Sequence, residues 1–392
     1  MLPQPNCQVN AEVLDSKARV YAAFFIYSFS MGGIFPRLPD LRHAMGIAEG
    51  ALGLALIGTA TGTLISFSFA GRMLDRVGYR PALLTLIPVL ALLYGIAAWM
   101  PGPLALFLAL VPTGLAIGAI EIIINLEADR VEYQTGRRIM NRAHGFWSLG
   151  FFAAGAVGAL LSELGVPPVV HLCAMAPVVA VATFVLLRGF HPAPHRQGAS
   201  TDAASHFALP TVPILVLVMV ALSALVMEGA GTDWSAIYMR DVFNAPPWMA
   251  GFAVAVGALT QALARFCADY FVERQSPTTV ARVLLCVLGL GGALVFAAPS
   301  SWAALLGFGL MGIGSSAIFP LAMSAAAQRN DRPAALNVAA LAQLAFVGFL
   351  LGPPLLGYVA QYWGIRWSFG VVLPLVVLSF LAADALGRRA PV

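Results

Sequence analysis

Apolar residues in this chain neither alternate nor keep to one helical face. They run on for about twenty residues at a time, stop at short polar or glycine- and proline-bearing segments, and resume. A helix that crosses a bilayer needs roughly 20 residues, and runs of that length centre near residues 28, 60, 91, 115, 153, 178, 223, 257, 288, 313, 346 and 376. The pattern predicts twelve transmembrane helices and leaves no room for a soluble domain. The longest polar break, "RGFHPAPHRQGASTDAASHFALP" at 188–210, falls between the sixth and seventh runs and reads as a flexible connector. The expected fold is therefore an all-α membrane protein, with one six-helix half over 1–187, a connector over 188–211 and a second half over 212–392.

Composition supports this reading. Of 392 residues 60% are hydrophobic and 10% charged, and the mean hydropathy is +0.85, far from a soluble domain. Orientation follows Lys and Arg in short loops. With alternating loops, all but Arg37, Arg42, Arg240 and Arg366 of the 22 Lys and Arg fall on the side of the connector. That asymmetry predicts both termini and the connector in the cytoplasm, and it explains the basic balance as an insertion signal rather than nucleic-acid binding. The first residues lack a cleavable signal pattern, so the first span is expected to serve as an uncleaved insertion signal. Arg in place of Lys and abundant Ala fit a bacterial source and its inner membrane. Cys7, Cys173, Cys267 and Cys286 have neither paired nor ligand spacing. His191 and His195 are flanked by Pro192 and Pro194, which forbid a helical metal pair. No metal or cofactor is expected.

The second half echoes the first. The loop "GRMLDRVGYRP" (71–81) aligns with "RFCADYFVERQ" (265–275), placing Asp75 and Arg80 against Asp269 and Arg274. Gly158 and Gly165 near the end of the fifth span likewise match Gly357 and Gly364 near the end of the eleventh. Internal repeats are common in transporters. Gly71 and Gly78 permit a tight turn and close approach, while Asp75, Arg76 and Arg80 supply charges that can form or break between two arrangements.

These residues carry a resemblance. Gly71, Asp75, Arg76, Gly78 and Arg80 resemble the loop signature of the major facilitator superfamily, and "GAIEIIINLEADRVE", "IMNRAHGFWSLG" and "EGAGTDWSAIYMRD" are similar to a bacterial subgroup related to the fucose permeases. The resemblance implies the major facilitator fold, with spans one, four, seven and ten lining a central path, and alternating access through it.

Ionisable residues at bilayer depth cost about 2.5–3.5 kcal/mol on insertion scales and usually face a cavity or a partner. Span four carries Glu121 and Glu127, and span seven carries Glu228 and Asp233. Asn125 lies one turn from Glu121 on the same face; Glu127 is off that face and close to Arg130, which reads as an ion pair. Glu121 suits a carboxylate that binds a proton on one side and releases it on the other, or else a permanently hydrogen-bonded structural acid. Glu228 precedes Gly229 and Gly231, where the helix can loosen around a ligand. Asp233 could pair with Arg240 or Arg37 as an outer gate. Trp234 and Trp147 suit an interfacial belt or a stacking wall, and His144 either relays protons or makes a helix-start contact. Gln261, Ser315, Ser316, Asn337 and Gln343 could donate to a polar solute. Arg265 and Asp269 read as an i, i+4 pair.

The expected function is a monomeric secondary transporter of a small polar or amphipathic solute, driven by protons, with the lipid bilayer as its other partner. A drug or secondary-metabolite exporter is the alternative within transport, weakened because span four has no internal Arg and span five lacks a Gly-Pro turn. A solute sensor that moves nothing is the alternative of another class, and it lacks an output module. No nucleophile, metal or phosphate-loop constellation points to an enzyme.

Overall fold

The computed structural model describes residues 6–135, 139–193, 209–329 and 331–387; side chains at 6–15, 69–72, 75, 268–269, 272–273, 334–335 and 349 lie outside the description. The described residues form helices and connecting turns, with no strand among them. Twelve helical segments are long and apolar enough to cross a membrane. In the first half these are span 1 (Ser16–Met45), span 2 (Glu49–Ser68), span 3 (Tyr79–Ala97), span 4 (Pro103–Thr135), span 5 (Met140–Glu163) and span 6 (Pro168–Leu187). The second half holds span 7 (Val212–Phe243), span 8 (Pro247–Cys267), span 9 (Pro277–Phe296), span 10 (Ser301–Ala327), span 11 (Leu336–Trp363) and span 12 (Trp367–Leu386). Short connections make consecutive spans run in opposite directions. Odd spans therefore lead from the connector side of the molecule to the far side, and even spans return.

Between lipid-soaked helices the hydrophobic effect gives little drive, so packing rests on small residues that let backbones approach. Span 2 contributes Gly58 and Gly62 and span 4 contributes Gly114 and Gly118, two small-xxx-small pairs. A Cβ at Gly62 would strike the backbone of Val111, and one at Gly114 the backbone of Thr59. Thr63 Oγ1 donates across this seam to the carbonyl of Gly114 at 3.1 Å. The second half repeats the device: Gly312 of span 10 meets the backbone of Gly257 in span 8, and Thr260 Oγ1 donates to the carbonyl of Gly309 at 2.8 Å. The repeat is thus visible as chemistry, and also as conformation. Gly165 ends span 5 with φ +70° and Gly364 ends span 11 with φ +88°, a left-handed backbone that favours glycine at both. Gly62→Leu and Gly114→Leu are each expected to lower membrane yield and the unfolding temperature in detergent sharply. Thr63→Val should cost on the order of 1 kcal/mol or less, a contrast that a thermal-unfolding comparison checks.

Several spans are not continuous. Span 1 breaks after Gly32 into a short 3-10 turn, Phe35–Arg37, before Leu38–Met45. Span 10 breaks between Ser301–Ser315 and Ile318–Ala327. Span 11 stays one helix, Ala334–Trp363, although it carries Pro353 and Pro354 inside. Irregular backbone at membrane depth is tolerated where it is buried in protein or lines a cavity, and the two breaks and the proline pair face the seam between the two halves or its immediate wall.

Candidate functional site

The seam between the halves is ordered by depth, because span 5 and span 8 run along it in opposite directions. At its centre lies a chain of polar side chains. Tyr27 Oη on span 1 donates to Glu121 Oε1 at 2.9 Å. Asn125 Nδ2 donates to Glu121 Oε2 and to the Glu121 carbonyl, both at 2.9 Å. The His144 Nε2 of span 5 lies 3.3 Å from Asn125 Oδ1, with its ring edge-on to Phe24. Glu121, Asn125 and His144 are half-buried rather than sealed. The helical spacing of Glu121 and Asn125 brings them together as the sequence implies. His144 joins the acid rather than a neighbouring loop, and Tyr27 is an addition that its apolar surroundings in sequence conceal.

One turn along span 5, Ser148 starts the crossing into the second half. Its Oγ donates to Gln261 Oε1 at 3.1 Å and accepts from Arg265 Nη1 at 2.7 Å. Gln261 Nε2 donates onward to Ser315 Oγ at 3.3 Å. Arg265 Nε donates to the carbonyl of Ser316 at 3.2 Å, so the guanidinium serves a carbonyl where span 10 breaks. Arg265 Nη2 faces Glu228 Oε1 at 3.8 Å, with side-chain exposures of 14% and 28%. The expected i, i+4 pair of Arg265 with Asp269 falls on a side chain outside the described residues; the partners described for Arg265 lie on spans 5, 7 and 10. Ser315 and Gln261 belong to the polar chain. Asn337 does not; it is fully buried and held by Arg332 and Asp331 at 2.6 and 2.9 Å. Its amide holds the Asp331 carboxyl below the usual carboxylate range, with Arg329 adding to the effect.

Toward the far side the seam becomes apolar. Trp147 stacks on Phe151 with centroids 5.4 Å apart, and these pack with Phe35, Val254 and Ala236 from spans 1, 8 and 7. Trp147 Nε1 is buried without a hydrogen-bond partner. Trp234 is no stacking wall: it is fully buried, its ring against Gly357 of span 11.

Beyond the apolar layer lies an ionic latch. Asp40 accepts from Arg37 Nε at 2.9 Å and from Ser162 at 3.2 Å, and faces Arg240 across the seam at 3.5 Å. Arg42 pairs with Glu49 at 2.6 Å and, across the seam, with Asp241 at 2.8 Å. The backbone N–H of Trp248 donates to Glu163 at 3.1 Å, and that of Gly50 to Gln361 at 3.2 Å. Both arginines considered for Asp233 are thus committed to Asp40. The latch formed on a different acid because Asp40 sits at the mouth, whereas Asp233 lies about two turns deeper on span 7 than Arg240.

On the connector side the named polar contacts each stay within one half, and the seam is crossed by ring edges, Phe67 on Phe346 at 5.6 Å and Phe146 on Phe266 at 5.8 Å. Glu127 is 1% exposed, faces Arg130 at 3.7 Å as expected, and also accepts the backbone N–H of Ala193. Arg80 donates to the carbonyl of Arg188, and Phe190 is buried beside Glu127. Residues 188–193 of the connector therefore dock on the first half, and residues 194–208 lie outside the described residues. Of the repeated loops, Gly78 takes φ +83° between spans 2 and 3, Arg76 is exposed and Arg274 stacks on the Tyr270 ring at 3.6 Å. Gly71 and the side chains of Asp75 and Asp269 are outside the described residues.

Two six-helix bundles meeting on a partly buried polar chain form the architecture of a membrane transport protein. The sequence matches the family model of the Major Facilitator Superfamily over residues 20–328 and again over 216–391, and the chain belongs to that family. It is 29% identical to an uncharacterized MFS-type transporter of Yersinia pestis, over 93% of this chain and 94% of that one. It is 30% identical to an uncharacterized transporter of Sinorhizobium fredii, over 94% and 97%, and 24% identical to membrane protein MosC of Rhizobium meliloti, over 93% and 89%. Among solved structures it shares its fold with a mutant form of the nucleoside transporter NupG (TM-score 0.72, 14% identity, 95% of this chain and 100% of that one). The D-xylose-proton symporter is similar too (TM-score 0.70, 12% identity, 97% and 98%).

Proposed function

We propose that this protein moves a small polar solute of one or no net charge across a bacterial inner membrane by alternating access, and that a proton carried on Glu121 drives it. The observation that carries the reading is Glu121 itself: an acid deep in span 4, half-buried at the seam, with hydrogen-bond donors on both carboxylate oxygens. Donors on both oxygens allow the acid to be held as a carboxylate, and its half-open position leaves a route for the proton. His144, through Asn125, senses the state of the acid. The solute sits next to this group, between the polar chain and the apolar layer, where Trp147 offers a ring face and an unserved N–H, and Gln261 and Ser148 offer amide and hydroxyl groups. Such a site suits a hydroxylated ring or a comparable amphipathic molecule. The connector side is cytoplasmic on the charge asymmetry of the loops, and the far side, latched in this conformation, faces outward. The halves 1–187 and 212–392 move as units about the seam, as one chain without need of a second copy. The nucleoside and pentose named for the two structural neighbours are the first solutes to try.

The test uses proteoliposomes and a solute found by thermal-shift screening of the purified protein. Glu121→Gln is expected to lose gradient-driven uptake while keeping solute exchange in the absence of a proton gradient. Wild-type behaviour in both assays removes Glu121 from the mechanism, and binding without any uptake or release by the wild type removes transport.

A further inference from the structure

Asp233 is a buried acid that the polar chain does not use. It is 8% exposed, has no hydrogen-bond or ion-pair partner among the described residues, and lines a small cavity between spans 7 and 11. The other walls are Gly229, Ala230, Gly352, Pro353 and Leu356, together with the neighbouring Leu225 and Val226 of span 7. No atom of another element lies within 4 Å of where a Cβ on Gly352 would sit, so the space beside the proline pair is open. Pro353 and Pro354 have no N–H to give, so carbonyls one turn earlier in span 11 lose their in-helix donors.

Charged groups surround Asp233 without reaching it. Arg37, Asp40 and Arg240 form the latch above; Glu228 and Arg265 pair with each other below. Tyr238 on its own helix donates to the Val295 carbonyl. From span 3, Tyr94 lies within electrostatic reach of Asp233, and also of Tyr27, whose hydroxyl holds Glu121. From span 11 the lining is glycine, proline and leucine only.

An acid buried without a counter-charge is expensive at membrane depth. A hard metal ion would relieve it only with about six oxygen ligands, and this cavity offers one carboxylate in an apolar wall. No cluster of three or more metal-ligating side chains occurs among the described residues. A proton needs only one oxygen. We infer that Asp233 is a second proton-binding site of the transporter, set against the proline pair of span 11. It binds one proton as an O–H on its carboxylate while the far side is latched, and releases it to bulk water when span 7 and span 11 part and water enters the cavity. The inference extends the proton-coupling reading but does not need Glu121 to be the driving site.

Infrared difference spectroscopy on the full-length protein in lipid, titrated with pH, reads protonated carboxyl groups directly through their C=O stretch. The expected result is a protonated-carboxyl band that persists at neutral pH, is absent in Asp233→Asn, is present but moved in Asp233→Glu, and survives in Glu121→Gln. Identical spectra for wild type and Asp233→Asn overturn the inference, and where that variant does not fold, an unmoved band in Asp233→Glu does so. Loss of the wild-type band on adding sodium at constant pH overturns it in favour of a metal cation. Because no solute is involved, these outcomes are independent of the uptake assay.

Discussion

Replacing Arg265 by glutamine is expected to abolish transport and to lower the unfolding temperature by several degrees, with Arg265→Lys keeping part of the stability and little of the activity. Arg265 is the joint between the halves at mid-depth: its fork holds Ser148 of span 5, the Ser316 carbonyl at the break in span 10, and Glu228 of span 7. Lysine brings the charge but not three donors in a fixed plane. Removing one member of a buried pair typically costs about 3–5 kcal/mol; Glu228 is 28% exposed and water can serve it in part, so the cost should fall toward or below the low end of that range. The double variant Arg265→Gln/Glu228→Gln separates stability from function. With the stranded acid gone it should recover much of the lost unfolding temperature, yet still not transport. If the double variant transports normally, the joint is only structural.

The far-side latch should set the balance between the two access states. Among the described residues two of its ion pairs cross the seam, Asp40 to Arg240 and Arg42 to Asp241. Replacing Asp40 would confuse the test, because Arg37 is 2% exposed and would be left buried without its carboxylate. The double variant Arg240→Gln/Asp241→Asn removes both crossing pairs and leaves that acid in place. Partly exposed pairs contribute about 0.2–1 kcal/mol each. At 1.4 kcal/mol per tenfold change, losing two shifts the equilibrium toward far-side opening by between about twofold and about thirtyfold. Alkylation of a single cysteine introduced at Ala236, a fully screened position of span 7 in the apolar layer, should speed up by a comparable factor.

The sequence revealed what depends on periodicity and on near neighbours. The twelve spans follow from run length alone, Glu121 and Asn125 from a one-turn spacing, Glu127 and Arg130 from proximity, and the repeat from Gly165 and Gly364, whose shared left-handed backbone explains why both are glycine. What it hid are contacts set by tertiary approach. Tyr27 is 94 residues from Glu121 and sits in a run of aromatic and small residues, where a tyrosine reads as filling. Arg265 has a local acid at the helical spacing, Asp269, whose side chain lies outside the described residues, and its described partners come from three other spans. Asp40 gathers two arginines and a serine, although its own segment shows only a short basic-acidic turn. The break in span 10 has a signal in Pro320, which has no N–H for the Ser316 carbonyl four residues before it, but its meaning appears only when Arg265 is seen to serve that carbonyl.

The claim at the centre of this account is that the two halves rock about the polar chain, so that closing one side opens the other. Distance measurements between spin labels test it without knowledge of the solute. One pair is placed on the far side at Ala44 and Trp302, another on the connector side at Val77 and Tyr270, all exposed positions on different halves. Wild type is compared with Arg240→Gln/Asp241→Asn in lipid, each in a background without native cysteines. The account predicts that the variant lengthens the far-side distances and shortens the connector-side distances together. A far side that loosens while the connector-side distances stay fixed would contradict it.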